Sequence, residues 1–403
     1  MKVVHINTFS YKSTGTMMFS IHHQLQSAGY DSYVVWGRGR APENDHEFNM
    51  GDSLGIKLHG VYTRLTDRTG FASIRSTTRL IDKMKVIQPD VIHLHNIHGY
   101  FINIELLFSY IKKNNIKVIW TLHDCWPFTG HCAYFDLIGC TKWKTGCYYC
   151  EQLDTYPASW RVDASRWNWK KKKELFTGAD ITIVAPCNWL KEKVSESFLR
   201  EYPIRVINNG LDLAIYKPHV SDVRKRLTIN DNFMILGVAN EWTKRKGLND
   251  FVLLEEKLRK VGVTNFKIVL VGLRESQVKR MPDSMIRMKR TENVSELLEL
   301  YTTADVYFNP TYEDNYPTTN LEALSCGTPI ITYRTGGSPE SILPEIGVVF
   351  EQGAIDEVVS YLKNNFRAKM GFQIQADNYS ELLDGRNMMD RYLQLYEEIK
   401  SKY

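Results

Sequence analysis

No stretch of this chain approaches the roughly 18 uninterrupted apolar residues of a membrane-crossing helix. Charge of one sign is scarce as well. A formal net charge of +5 over 403 residues falls short of the basic stripe that a nucleic-acid binder presents. The loop Asn7–Thr16, after the first apolar run, keeps only Gly15 and has no G-x-G-x-x-G, which counts against a dinucleotide cofactor. No internal repeat or low-complexity segment stands out. The opening residues, Met1-Lys2-Val3-Val4-His5-Ile6-Asn7, already read as a strand instead of a secretory leader, so the expected location is cytoplasmic.

What is present is the composition of a soluble globular protein, 43% hydrophobic and 24% charged. At 403 residues the chain is too long for one ordinary core, so two domains are expected. Aromatic residues make up 12%, with 9 Trp and 22 Tyr, which suits a carbohydrate- or lipid-facing surface. Apolar strand patterns cover Val3–Ile6, Ser32–Trp36, Val91–Leu94, Lys117–Leu122, Ile181–Val184 and Arg205–Ile207. Helical stretches over Met17–Ser27 and Ile104–Lys113 lie among them. The pattern restarts at Phe233–Val238 and continues through Lys267–Val271, Val306–Phe308 and Ile330–Thr332. Such alternation predicts an α/β fold: two parallel sheets with helices on both faces. Pro218, Ser221 and Asp222 mark a junction within 212–228. The expected domains are 1–212 and 213–385, followed by a last helix over 386–403 that could cross back to the first domain. That helix lines up Met389, Tyr392, Leu393, Tyr396 and Ile399 on one stripe. The cleft between two such halves is the default ligand site.

The most informative run is Glu313–Pro329, EDNYPTTNLEALSCGTP. It follows a strand that ends in Asn309-Pro310 and precedes the strand Ile330-Ile331-Thr332 and the Gly336-Gly337 turn. Asp314 therefore sits in a loop at the C-terminal end of a parallel strand, where open α/β sheets bind ligands. Glu322 lies on the helix that the loop opens. Two carboxylates beside a helix N-terminus can hold sugar hydroxyls while backbone N–H groups face a phosphate.

This segment resembles the nucleotide-sugar site of the retaining glycosyltransferases of family 4, which are built from two facing Rossmann-like domains (the GT-B fold). Their pattern has two acidic residues separated by seven others, which here fits Asp314 and Glu322; Glu313 is one residue too early. The first acid is Asp where the pattern usually has Glu. The resemblance implies that Glu322 takes the ribose hydroxyls and Asp314 the donor-sugar hydroxyls, with further donor contacts from Asn315, Tyr316, Pro317, Thr318 and Thr319. It implies that Lys246, in Glu241-Trp242-Thr243-Lys244-Arg245-Lys246-Gly247, neutralises the diphosphate. The family's preceding Arg falls here on Asn240 or Glu241, so Arg245 or Lys244 would substitute. Gly15 is the remnant of a glycine-rich loop that the family sets beneath the diphosphate and acceptor. His123, after the strand Val118–Leu122, corresponds to an acceptor-side or catalytic histidine. Of His93, His95 and His98, those at every second strand position share one face, so two could be ligands; the alternative is packed strand-end histidines around a loop. Asn209-Gly210 is a tight turn between the domains, and Pro186–Leu190 matches the end of the first domain's last strand.

Of the seven cysteines, Cys132, Cys140, Cys147 and Cys150 crowd into one region, an insertion over about 124–155. Only the last two form C-x-x-C; the first two have seven residues between them. In a cytoplasmic protein the alternatives are a structural zinc or free thiols. No cofactor is expected for the chemistry itself. The insertion resembles one found in family members that build bacterial surface polysaccharides. Beyond it, Trp167-Asn168-Trp169 and Lys170–Lys173 read either as a membrane-surface contact or as a solvated helix with packed tryptophans.

The resemblance implies transfer of a sugar, with retention, from a nucleoside-diphosphate sugar to a saccharide or lipid-linked saccharide, in exopolysaccharide, capsule or lipopolysaccharide synthesis. It implies a position in the cytoplasm or at the inner face of the plasma membrane. No nucleic-acid partner is expected. Two rival classes stay open: a sugar-nucleotide epimerase or hydrolase on the same architecture, and a non-catalytic partner in polysaccharide assembly.

Overall fold

A computed structural model describes residues 1–343, 346–365 and 379–401. Lys402 and Tyr403, the end of the expected last helix, lie outside the described residues. The chain forms two compact units. One comprises Met1–Ile207 with Met389–Tyr403, the other Asn208–Met388.

The first unit contains strands β1 (Lys2–Phe9), β2 (Asp31–Arg38), β3 (Glu47–Asn49), β4 (Val91–Leu94), β5 (Lys117–Thr121), β6 (Ile181–Ala185) and β7 (Ile204–Val206). They make one parallel sheet in the order β3-β2-β1-β4-β5-β6-β7. The second contains β8 (Phe233–Val238), β9 (Phe266–Val271), β10 (Ile286–Met288), β11 (Val306–Asn309), β12 (Ile330–Tyr333) and β13 (Gly347–Phe350). Its order, again parallel, is β10-β9-β8-β11-β12-β13. Central strands such as β4 and β11 are buried at every residue because helices cover both faces, which is why they appear as unbroken apolar runs.

The last helix, Gly385–Lys400, packs on the first unit. It buries Tyr392, Leu395, Tyr396 and Ile399, whereas Met389 and Leu393 of the expected stripe are only half-buried. Its tyrosines reach under the sheet: the hydroxyl of Tyr396 is 2.6 Å from Nδ1 of His93, and that of Tyr392 is 3.0 Å from Oγ1 of Thr121.

Candidate functional site

In each sheet the order reverses once, between β1 and β4 and between β8 and β11. Connections leave these strands in opposite directions, so a crevice opens beyond their C-terminal ends. In the second unit both lips of that crevice carry charge. After β8 comes the tight turn Lys244–Lys246; after β11 comes the loop holding Asp314.

Lys246 and Asp314 are ion-paired across the crevice, with side chains only 20% and 16% exposed. Arg245 adds a second cation: its Nη1 donates to the Glu313 carbonyl at 2.7 Å, while its own carbonyl accepts from the Tyr312 amide, also at 2.7 Å. Burial pushes the Asp314 carboxyl up. Lys246 and Arg245 outweigh that effect and hold it below the usual carboxylate value. Two glycines let the backbone close up around this pair. Gly247 has φ +69°, and a Cβ there would come within 2.1 Å of the Pro310 carbonyl oxygen. Gly336 has φ +52°, and its Cβ would fall 1.7 Å from the Asp314 carbonyl oxygen; the next amide, Gly337, donates to the Asn315 carbonyl at 2.7 Å.

Glu322 lies on the helix Thr318–Ser325 and has a different environment. The Tyr301 hydroxyl donates to it at 3.1 Å, and the Thr318 hydroxyl also bonds it. No ion pair reaches it among the described residues. Burial therefore dominates and raises its pKa, with the two hydroxyls opposing. Pro317, at the N-cap of this helix, supplies no side-chain acceptor for the first-turn amides. Those amides, with the positive end of the helix, suit an anionic group.

The structure thus gathers Lys246, Arg245 and Asp314 at one crevice. The Asn315 amide bonds Asp314 Oδ1 at 3.0 Å, Tyr316 is buried, and Thr319 bonds the hydroxyl of Tyr307. Lys244 is exposed on the same turn. Glu241, one of the positions where the family's first cation is expected, is instead ion-paired with Arg274.

In the first unit, His123 follows β5 and its Nε2 lies 3.2 Å from Nδ1 of His95. Burial lowers its pKa to about 4; the Asp124 carboxylate opposes this and His98 reinforces it. Sequence reasoning missed the neighbouring pair. His98 Nε2 is 2.8 Å from Asp124 Oδ2, both side chains are 8% exposed, and the Tyr156 hydroxyl lies 2.9 Å from His98 Nδ1. The only signal was Asp124 directly after His123. Gly15 is explained by packing, since a Cβ there would come within 2.8 Å of Ser10 and Phe9 backbone atoms. Of the Trp–Lys run, Trp169 and Lys172 turn inward while Trp167 is exposed, so the run is not a single surface face. No helix among the described residues is long and apolar enough to cross a membrane.

Comparison with known proteins bears on the family and the fold. A protein of Escherichia coli K12 named as a colanic acid biosynthesis glycosyl transferase, WcaC, is 23% identical, over 94% of this chain and 95% of its own length. The fold matches sucrose-phosphate synthase from Thermosynechococcus elongatus with a TM-score of 0.71 at 15% identity, covering all of both chains. It also matches HepE of Anabaena, solved in complex with UDP-glucose, with a TM-score of 0.66 at 14% identity, over 99% of this chain and 100% of that one. The family model described as "Glycosyl transferases group 1" matches residues 220–370, where the Lys246–Asp314 crevice lies. The model "Glycosyltransferase Family 4" matches residues 14–215, half of the sequence by itself. The chain belongs to the glycosyltransferases of family 4.

Proposed function

We propose that this glycosyltransferase moves a sugar from a nucleoside-diphosphate sugar to a saccharide carried on a lipid, with retained anomeric configuration, during assembly of a bacterial surface polysaccharide. The observation that carries the reading is the crevice beside β8 and β11. There Lys246 and Arg245 stand against Asp314, next to a helix start with no side-chain cap.

Each group then has a task. Lys246 and Arg245 neutralise the charge that builds on the departing diphosphate, and the amides of the first turn at Thr318 and Thr319 add to it. Donors fixed in advance cost no reorganisation as the sugar–phosphate bond breaks. Asp314 accepts hydrogen bonds from the donor sugar and Glu322 from the ribose, with Asn315, Tyr316 and Pro317 shaping the wall. Retention follows if the acceptor hydroxyl attacks on the face from which the diphosphate leaves, because no side-chain nucleophile is marked in the sequence. His123, neutral at physiological pH, serves the acceptor side. The lipid carrier is supported by Trp167, exposed one turn before the exposed Lys170 on the helix Ser165–Phe176.

The test is nucleotide release from a panel of donors headed by UDP- and GDP-sugars, with and without polyprenyl-linked saccharides. Release that depends on the acceptor supports transfer. Equal release without acceptor makes the protein a hydrolase, and no release from any donor overturns the reading. Glu322→Ala is expected to abolish donor binding; unchanged donor affinity would remove Glu322 from the site.

A further inference from the structure

Between β5 and the helix Ser165–Phe176 the chain runs for some forty residues with only three short 3-10 turns, Trp126–Phe128, Asp136–Ile138 and Lys142–Lys144. So long a connection with so little regular structure needs something to hold it. Part of the answer is a small aromatic core: the rings of Phe135 and Trp143 stack at 4.7 Å, and Phe128 meets Trp143 at 5.3 Å. Hydrogen bonds such as Gln152 Nε2 to the Tyr134 carbonyl at 3.1 Å add to it, and four cysteines gather beside it.

Cys132, Cys140, Cys147 and Cys150 all line one small cavity, together with Trp143 and His131. All four are free thiols. Cys132 and Cys150 are hydrogen-bonded to each other, and Cys147 is close enough to Cys140 and Cys150 for their charges to interact. Backbone amides point at two of the sulfurs, Gly130 N–H to Cys147 Sγ at 3.1 Å and Gln152 N–H to Cys150. Amide donors aimed at sulfur stabilise a thiolate and fix its direction, as the outer shell of a metal site does. Gly130 must be glycine to do this: a Cβ would come within 2.2 Å of the Ser165 carbonyl oxygen and 2.6 Å of Cys147 Cβ.

We propose that Cys132, Cys140, Cys147 and Cys150 bind one structural zinc ion that fastens this segment. Four thiolates around a divalent cation carry a net charge of about −2, and such a site must be balanced when partly buried. The surroundings provide that balance. Lys172 is 1% exposed; its Nζ donates to the Trp126 and Thr129 carbonyls at 2.8 and 3.1 Å and lies within electrostatic reach of Cys147 and Cys132. Lys142 near Cys140 and His131 near Cys150 add less, because Lys142 is ion-paired with Glu151 at 3.1 Å and His131 Nδ1 is bonded to the Asp67 carboxylate. With four sulfur ligands no coordination position is left open, so the ion would hold the fold and take no part in sugar transfer. Loading asks the thiols to converge to the separation of a tetrahedral site, with Zn–S bonds of about 2.3 Å.

Tighter trios of ligand atoms occur elsewhere but suit a metal less. His5, His93 and His95 lie within 4.8 Å of one another, yet both nitrogens of His93 are taken, by the Tyr396 hydroxyl at 2.6 Å and Thr121 Oγ1 at 2.8 Å. His22, His23 and Glu47 form the other trio, in which His22 Nδ1 is bonded to Ser32 at 2.9 Å and the Nε2 atoms of both histidines face the same Glu47 carboxylate oxygen at 3.3 and 3.4 Å.

The experiment is metal analysis of the full chain, purified without chelator and after reconstitution with zinc. About one equivalent of zinc is expected, released in step with mercurial modification of the thiols. Cobalt substitution should give the intense visible absorption of tetrahedral thiolate coordination. Cys147→Ser and Cys150→Ser should each lose more than half of the bound metal. Zinc far below one equivalent, with no cobalt spectrum from the unmodified protein, overturns the proposal. So does a disulfide among these four cysteines in peptides alkylated before reduction. Both of these contrary results are measured on the unmodified chain, so a variant that fails to fold changes neither. None of these readouts depends on which donor or acceptor the enzyme uses.

Discussion

The ammonium of Lys246 is ion-paired with the carboxylate of Asp314, joining the loop after β8 to the loop after β11. Lys246→Met leaves Asp314 with Arg245 as its nearby cation and takes one fixed positive charge from the leaving diphosphate. Turnover is expected to drop about 10²- to 10³-fold, the usual cost of one preorganised donor. Steady-state kinetics on the best donor checks this. Asp314→Asn should also change acid stability, with a definite sign. Asp314's folded pKa is depressed below the ordinary 3.8, so its contribution is full above that value and is lost as pH falls through the folded one. Urea unfolding of the two proteins should therefore differ at pH 6 and converge in strong acid.

Glu322 presents the opposite case, a carboxyl raised by burial and held by hydroxyls instead of a cation. A raised folded pKa makes the protein most stable below the ordinary 4.5, with stability declining as pH rises through the folded value. Glu322→Gln removes that decline, so the variant should melt no lower than the parent at neutral pH. Donor affinity should nevertheless weaken by about 1.5–3 kcal/mol, the worth of hydrogen bonds to a charged acceptor. Calorimetric donor titration beside thermal melts separates the two effects. Loss of both stability and binding would mark Glu322 as a structural residue.

Much of the second unit's fold was legible because its central strands are near-continuous apolar runs. Asp314 and Glu322 share one loop and helix, and the strands beside them are apolar on both faces. The edge strands β3, β10 and β13 escaped notice, being three or four residues each and only partly buried. Lys172 was hidden within a run of four lysines; a run conceals helical period, and only the fold shows that one of them turns inward. His98 and Asp124 could not be paired from spacing. They meet because β4 and β5 are hydrogen-bonded neighbours, with His93 level with Ile119, so the loops leaving both strands emerge side by side.

His123 is expected to work as a neutral imidazole. Burial lowers its pKa to about 4, and a depressed folded value means its contribution to stability is present above the ordinary 6.5 and lost as pH falls through about 4. The pH profile of kcat/KM should then show no limb near 6.5 from this residue, and activity should fall only toward pH 4. Asp124→Asn removes the carboxylate that partly offsets burial, so the limb should move to lower pH, while His98 loses the carboxylate it is hydrogen-bonded to at 2.8 Å. Histidine ring-proton NMR titrations of both proteins read this directly. An unshifted His123 resonance in the variant would contradict the assignment.

Gly336 tests whether the position of Asp314, and not only its charge, matters. The residue adopts φ +52°, which favours glycine, and a methyl group there would lie 1.7 Å from the Asp314 carbonyl oxygen. Gly336→Ala cannot be accommodated by moving a side chain, because the obstacle is backbone. The loop carrying Asp314 must shift, or the bond from the Gly337 amide to the Asn315 carbonyl must break. The stability cost is expected to be about 1–3 kcal/mol. Activity should suffer more, about 100-fold or beyond, since a displacement near 1 Å of a group that positions the substrate costs that much. A control at Gly178 isolates the effect: it too has positive φ, yet nothing lies within 4 Å of its Cβ, and it belongs to the other unit. Gly178→Ala should lose stability to backbone strain alone and keep its turnover. Equal activity losses in the two variants would show that the register of the Asp314 loop has no special role.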